Sequence, residues 1–270
     1  MTTNAVDTQA LLDLAMRGAR AAGAELMSRY GHVQGLDTKS SSTDPVSDAD
    51  RAAERILVEL ITGERPDDGL LGEEGADRES RSGLRWVVDP LDGTVNYLYQ
   101  LDNFAVSVAV EDPDGALVGV VHNPTNGRTY HAIRGVGAAV DGRRLRVNDP
   151  VPMARALIAT GFGYSAERRR DQGSVISALL PRIRDIRRIG SAALDLCAVA
   201  AGAVDGYFEE GVQAWDVAAG GLIAREAGAQ YAVVTPTGAE TGALAAGPAL
   251  FAELHGALAE FTAGQPRNGR

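Results

Sequence analysis

Acidic side chains recur where structural elements should begin or end. Asp50 stands early in an amphipathic run, Glu73 and Glu74 in GEE at 72–74, Asp89 and Asp92 in DPLDG at 89–93, and Asp216 in WDVAAG at 215–220. WVVDPLDGT, residues 86–94, sets two carboxylates at the end of an apolar run that reads as a buried strand. Carboxylates avoid burial unless something positive meets them. Singly, each acid has a plain structural role: Asp50 as a helix cap, Glu73 and Glu74 as a solvated turn, Asp216 at the positive end of a helix. Together they ask for more, because strand ends in α/β architectures gather at one edge and converging anions repel unless they hold cations. Oxygen donors without His or Cys select a hard ion, Mg2+ ahead of Zn2+. Pro90 splits the two aspartates, and the carbonyl of Leu91 between them is a candidate neutral ligand.

The next residues add a second kind of site. DGTVN offers the backbone NH groups of Gly93 and Thr94, with no bulk at Gly93, in a turn suited to phosphate oxygens at a helix start. Metal ligands beside an NH nest point to phosphoryl chemistry. LDGT echoes the DxDGT signature of haloacid-dehalogenase-type phosphatases, but Pro90 stands where their nucleophilic aspartate belongs, and proline cannot attack phosphorus. No histidine or cysteine accompanies any motif as a nucleophile, which favours direct attack by water without a phospho-enzyme.

GEE, DPLDGT and WDVAAG, in this order and at these separations, resemble the inositol monophosphatase family of metal-dependent, lithium-sensitive phosphatases. The resemblance runs from about Lys39 to Gly228. It implies one metal held by Glu73, Asp89 and the Leu91 carbonyl, a second held by Asp89, Asp92 and Asp216, and a third, weaker ion near Glu73 through water. It also implies that Asp50 and Thr94 pair to orient or deprotonate the attacking water, with Glu74 supporting them. The segment RRIGSAALDLCAVAAGAVDGYFEEGVQAWD, 187–216, is similar to the family's sugar-alcohol-binding portion. There Gly190, Ser191 and Ala192 would meet the substrate through backbone, and Glu209 would accept hydrogen bonds from ring hydroxyls. The plain alternative for Glu209 is a surface glutamate at a strand end, which is also the reading for Glu210. The chain departs from the family pattern at Ala229, where a second glycine is usual, and at Ser191, where threonine is common; neither is a proposed ligand.

The resemblance implies a Mg2+-dependent phosphate monoester hydrolase with two or three ions. Inositol 1-phosphate is the first expected substrate; histidinol phosphate, fructose 1,6-bisphosphate and 3'-phosphoadenosine 5'-phosphate are alternatives. An interaction protein on a retired phosphatase scaffold is the non-enzymatic alternative, and the retention of every implied ligand and base argues against it. Lys39 is the single lysine beside 25 arginines. It resembles a family lysine in a loop that can fold over the metal site, and is expected to help position anionic groups or the third ion. Family members are commonly dimers, so a homodimer is expected.

The elements that would carry these residues follow from periodicity and punctuation. Asp7 caps a helix to about Arg29 with Leu11, Ala15, Ala19, Ala22 and Leu26 on one stripe, and Gly31 follows it. In PVSDADRAAERILVEL, Ser47 is the expected cap and Asp50 completes something like a capping box, with the helix stopping before Pro66. Strands are expected over 69–74, 85–90, 104–111 and 116–123, the last two joined by a DPDG turn, then over GRTYHAI and GVGAAVDGRRL with a hairpin turn at 141–144. After about Pro152 strand and helix alternate: ALIATG, a helix near 172–183, IRRIG, helix 191–202, AVDGYFEE, helix 216–227, AQYAVVT, GALAAG and a last helix to about 262. This predicts an α+β lobe over 1–150 with most metal ligands and an α/β lobe over 151–265 with the substrate segment. The two fuse as one compact unit; the family resemblance implies an α+β / α/β layered α-β-α-β-α sandwich of the sugar phosphatase type.

Composition sets the outer limits. At 270 residues the chain can bury a large core without staples, and Cys197, its single cysteine, forms no intrachain disulfide. The four histidines lack metal-ligand spacing. A net charge of -10 disfavours nucleic acid and anionic membrane as partners and is compatible with an anionic substrate that cations accompany; the small phosphorylated polyol is what the family resemblance implies. MTTNAVDTQ has neither the basic nor the apolar region of a secretory signal, so a cytoplasmic location is expected.

Overall fold

A computed structural model of the chain describes residues 6–32, 37–38, 45–46, 48–238 and 241–264. Lys39 and Ser47 lie outside the described residues. Helix α1 (Thr8–Arg29) starts as its sequence dictates, with the Asp7 carboxylate accepting from the Ala10 NH at 3.0 Å. A short antiparallel ribbon, β1 (Asp37–Thr38) and β2 (Pro45–Val46), leads to α2 (Asp48–Glu64). No helix among the described residues is long and apolar enough to cross a membrane.

The first sheet contains β3 (Gly69–Gly72), β4 (Asp77–Arg78), β5 (Arg85–Asp92), β6 (Ala105–Asp112), β7 (Gly115–His122), β8 (Thr129–Ile133), β9 (Gly137–Val140) and β10 (Arg143–Arg144), with the short helix α3 (Thr94–Leu98) after β5. Its order is β10-β9-β8-β7-β6-β5-β3-β4; β3 and β5 pair parallel and the rest antiparallel. Asp141 and Gly142, both at positive φ, make the tight turn between β9 and β10.

The second sheet is interleaved with helices: β11 (Leu157–Thr160), α4 (Ala166–Leu179), β12 (Asp185–Arg187), α5 (Ala192–Ala200), β13 (Gly206–Glu210), α6 (Ala214–Glu226), β14 (Gln230–Val234), β15 (Gly242–Ala246) and α7 (Pro248–Gly264). Its order is β12-β11-β13-β15-β14, with β11 parallel to both neighbours and β15 antiparallel to both of its own. Helix α4 begins six residues before the expected start, capped by the Ser165 hydroxyl on the Arg168 NH. Its first turns, AERRRDQ, are polar, so they carry no apolar stripe to read.

Side-chain alternation along the strands builds the layers. Trp86, Val88, Val106, Val108 and Val110 pack with α1 and α2 on one face of the first sheet. Val87, Ala105 and Ala109 pack on the other face with Ala193 and Cys197 of α5 and Leu222 and Ile223 of α6. The opposite side of those helices packs on the second sheet through Leu196, Val199, Tyr207 and Ala245. Finally α4 and α7 cover the far face, with Val175, Leu179, Leu250 and Leu254 around Ile158 and Leu244. The result is the expected α-β-α-β-α sandwich, in which α5 and α6 are the filling shared by both sheets.

Candidate active site

The strand that sequence reading ends at Pro90 continues to Asp92. Between Asp89 and Asp92 its pairing with β6 slips: Asp89 faces Ser107 and Asp92 faces Ala105, three steps on one strand against two on the other. Residues three apart on a regular strand point to opposite faces, and the extra residue of a bulge reverses that parity. Asp89 and Asp92 therefore share the face that looks toward α5 and α6, while Leu91 turns into the α1–α2 core. Pro90 is tolerated because the ladder is already interrupted there. The Leu91 NH donates to Asp89 Oδ1 at 2.9 Å, which fixes that carboxylate.

Asp92 is held from the other half of the chain. Its Oδ2 accepts from the Ser191 hydroxyl at 2.6 Å and from the Ala193 NH at 2.7 Å, at the start of α5. Ser191 also caps α5, its oxygen accepting from the Leu194 NH. Its side chain thus serves a carboxylate that the sequence assigns to metal, a role beyond the backbone contact expected of it. Asp216 stands in the first turn of α6, where its Oδ2 accepts from the Gln213 NH at 2.6 Å in a capping box. The capping role and the position beside Asp92 and Glu73 coexist. Glu73 follows β3, its NH reaching the Val88 carbonyl at 3.3 Å, and its carboxyl stands in hydrogen-bond contact with that of Asp89.

Two ionised carboxylates cannot keep such contact without a proton or a cation between them. Burial, followed by repulsion from Glu73, Asp92 and Asp216, pushes Asp89 well above the usual carboxylate range. Burial pushes Asp92 up to about 6 against the opposing hydrogen bonds of Ser191 and Ala193, with Glu73 adding to the rise. Burial and Asp92 raise Asp216. A buried, oxygen-only, mutually repelling set is the donor chemistry a hard divalent cation fits, so Glu73, Asp89, Asp92 and Asp216 could hold one or more.

Asp50, fully buried, and Glu74 stand behind this set; one oxygen from each of Asp50, Glu73 and Glu74 lies within 4.8 Å of the others, a grouping that could itself hold a cation. Thr94 opens α3, and its hydroxyl donates to the Leu91 carbonyl at 3.2 Å. Gly93 precedes it at φ 101°, where a Cβ would come within 3.0 Å of the Asn103 carbonyl and 3.1 Å of that of Gly190, so the turn requires glycine.

These residues open on a cavity of about 890 Å3. Its lining includes Glu73, Asp89, Leu91, Asp92, Gly93, Thr94 and Asp216, together with Gly190, Ser191, Ala192 and Glu209 from the second half of the chain. Asp50 and Glu74 are not on its surface. Glu209 projects from β13 on the Tyr207 side, accepting from the Tyr207 hydroxyl at 3.2 Å, with its carboxylate packed so closely on Gly161 that a Cβ there would overlap it. Burial raises it to about 7, the Arg188 guanidinium opposing that rise. Glu210, read from sequence as a surface glutamate, is buried on the other face of the strand and accepts from the Thr237 NH at 2.9 Å. Strand parity separates the two neighbours.

Sequence reading missed three participants. Glu54 accepts from the Glu74 and Ala76 NH groups. Asn96 ties the Asn103 and Ile189 carbonyls together. Asp195 lies buried beneath Glu209 and Asp92. Glu54 follows Asp50 by one helical turn and Asp195 interrupts the apolar run AALDLCAVA, which are the signals each offered.

Comparison with known proteins agrees with this architecture. A family model described as the inositol monophosphatase family matches residues 7–265. An inositol-1-monophosphatase SuhB of Mycobacterium tuberculosis is 42% identical over 252 residues, covering 89% of this chain and 87% of its own. A protein of Pasteurella multocida named Nus factor SuhB is 43% identical over 221 residues, 81% of this chain and 83% of that one. Among solved structures, an IMPase of Thermotoga maritima superposes with a TM-score of 0.84 at 31% identity, over 94% of this chain and 98% of the other. The chain belongs to the inositol monophosphatase family, a family of phosphatases.

Proposed function

We propose that the protein is a Mg2+-dependent phosphate monoester hydrolase that acts on a phosphorylated polyol, inositol 1-phosphate first, releasing myo-inositol and phosphate. The observation that carries this reading is the bulge that turns Asp89 and Asp92 to one face, beside Asp216 and Glu73, in the lining of a cavity that Glu209 also lines. When bound, the two or three divalent ions supply Lewis acidity toward water, phosphate and the leaving oxygen. Glu73, Asp89, Asp92 and Asp216, with the Leu91 carbonyl, would hold them.

The remaining steps belong to the chain's own groups. The NH groups of Gly93 and Thr94 receive phosphate oxygens at the start of α3. The Thr94 hydroxyl, a rotor that rests on the Leu91 carbonyl, turns to orient the attacking water, and Asp50 takes the proton. Glu209, fixed by Tyr207 and Gly161, accepts hydrogen bonds from substrate hydroxyls while the backbone of 190–192 bounds the ring.

The test compares inositol 1-phosphate, histidinol phosphate, fructose 1,6-bisphosphate and 3'-phosphoadenosine 5'-phosphate as substrates, with Mg2+ and with chelator. Inositol 1-phosphate is expected to give the highest kcat/KM, and Asp92→Asn to abolish Mg2+-dependent turnover. Turnover that survives chelation, or an unimpaired Asp92→Asn enzyme, contradicts the reading.

A further inference from the structure

The turn that carries Glu73 and Glu74 hangs on a third acid. Glu54, on α2, is only 7% exposed. One of its oxygens accepts from the Glu74 NH at 2.8 Å and the other from the Ala76 NH at 3.1 Å, while the Gly72 NH closes the same turn on the Ala76 carbonyl at 2.6 Å. The fit leaves no space, since a Cβ on Gly72 would overlap Glu54 Oε2. Asp50 and Glu54 are four residues apart, so the helix face that delivers Asp50 to the cluster also delivers this clamp.

For folding alone this is a poor choice of side chain. Glu54 has no cation partner among the described residues, and the turn it grips brings Glu73 and Glu74 toward it, both of which repel its charge. A neutral acceptor would satisfy a backbone NH there without that repulsion. What a carboxylate offers is two equivalent acceptors at fixed spacing, gripping the NH groups of residues 74 and 76 and so setting where residue 73 projects.

We infer that Glu54 is a positioning residue for metal binding: its two-point grip on the 73–76 turn holds the Glu73 carboxylate in ligating position. The inference rests on the metal-site reading of Glu73 and concerns no substrate. Outer partners of this kind commonly change metal affinity by about 10- to 100-fold when removed.

The experiment measures Mn2+ binding to the metal-free protein by electron paramagnetic resonance, and the melting temperature of each variant, with no turnover assay involved. Glu54→Gln keeps the length but aims an NH2 group at a backbone NH, and Gly72→Ala displaces the same carboxylate from its other side. Both are expected to weaken Mn2+ binding at least tenfold, and Glu54→Asp, which keeps the acceptors on a shorter arm, less. Ile61→Ala, two turns along the same helix and buried in the core, is the control: its melting temperature falls while its Mn2+ affinity stays at the wild-type value. Wild-type affinity in folded Glu54→Gln, or an equal loss in Ile61→Ala, overturns the inference while leaving the metal site standing. A wild-type protein that binds no Mn2+ overturns both.

Discussion

Replacing Asp195 with asparagine should stabilise the metal-free protein, by an amount that grows with pH. Asp195 is 1% exposed, and neither carboxyl oxygen accepts a hydrogen bond from a described residue. Burial, then the charges of Glu209 and Asp92, pushes it from 3.8 up to about 9, with Arg188 pulling the other way. At neutral pH the folded chain therefore keeps a proton that the unfolded chain has released. Folding must take up that proton, so stability falls as pH rises from the unfolded value of 3.8 toward the folded value near 9. Each pH unit in this window is worth about 1.4 kcal/mol, which makes the difference at pH 7 about 4 kcal/mol at the most. Asparagine has the same shape and does not titrate. Urea unfolding in chelator, followed by tryptophan fluorescence from pH 5 to pH 8, should show the variant gaining on the wild type by up to about 1.4 kcal/mol per unit. A difference that stays flat across this range would refute the reasoning. A destabilised variant at every pH would show instead that Asp195 works as a hydrogen-bond partner.

Three further outcomes follow from the geometry. Ser191→Ala removes a hydrogen bond to the Asp92 carboxylate worth about 1.5–3 kcal/mol, and calorimetry should find Mg2+ bound at least tenfold more weakly. Gly93→Ala forces a Cβ against two carbonyls at positive φ, and should lower stability by about 1–3 kcal/mol in denaturant titration while raising KM for the phosphate ester. Because Asp92 titrates at about 6 in the metal-free protein, with Asp89 and Asp216 also raised, Mg2+ binding near pH 6 should release protons. Affinity should then climb with pH through that region, and the binding enthalpy should change with the ionisation enthalpy of the buffer. A buffer-independent enthalpy would mean that the cluster is already ionised.

How much of this the sequence discloses depends on what each feature needs from residue type. The ligand candidates are legible because hard-ion chemistry admits few side chains, and because the proline and glycines around them punctuate the chain. The layers are legible because apolar alternation and helical stripes persist where cores must be dry. The bulge in β5 is not, since Pro90 announces an interruption without saying whether the strand ends or slips; only the pairing of Asp89 with Ser107 and Asp92 with Ala105 decides it. Glu54, Asp195 and Glu210 escape for the opposite reason. An acid on a helix or strand reads as solvated by default, and burial becomes visible only when a turn, a second acid or a loop backbone from far along the chain is brought against it. The early start of α4 is hidden likewise, because a polar first turn carries no hydrophobic period.

One contact that joins the two halves of the cavity offers a sharper test of how binding is organised. Asn96, 6% exposed, donates from Nδ2 to the Asn103 carbonyl at 2.6 Å and to the Ile189 carbonyl at 2.8 Å, spanning 93 residues of sequence to hold the 189–190 turn against α3. That turn carries Gly190 and leads into Ser191, which in turn grips Asp92. The 189–191 segment and the carboxylate cluster are therefore one mechanical unit, hinged on the start of α5. Asn96→Ala leaves two carbonyls without their donor and should cost about 1–3 kcal/mol of stability. If the unit is coupled as the contacts indicate, the same variant should raise KM for inositol 1-phosphate and weaken Mg2+ binding together, although Asn96 is a ligand for neither. Asn96→Asp cannot restore it, because a carboxylate has no donor to offer either carbonyl. Loss of stability with KM and Mg2+ affinity both unchanged would mean that the 189–190 turn holds its place without Asn96, and that the two halves of the cavity bind independently.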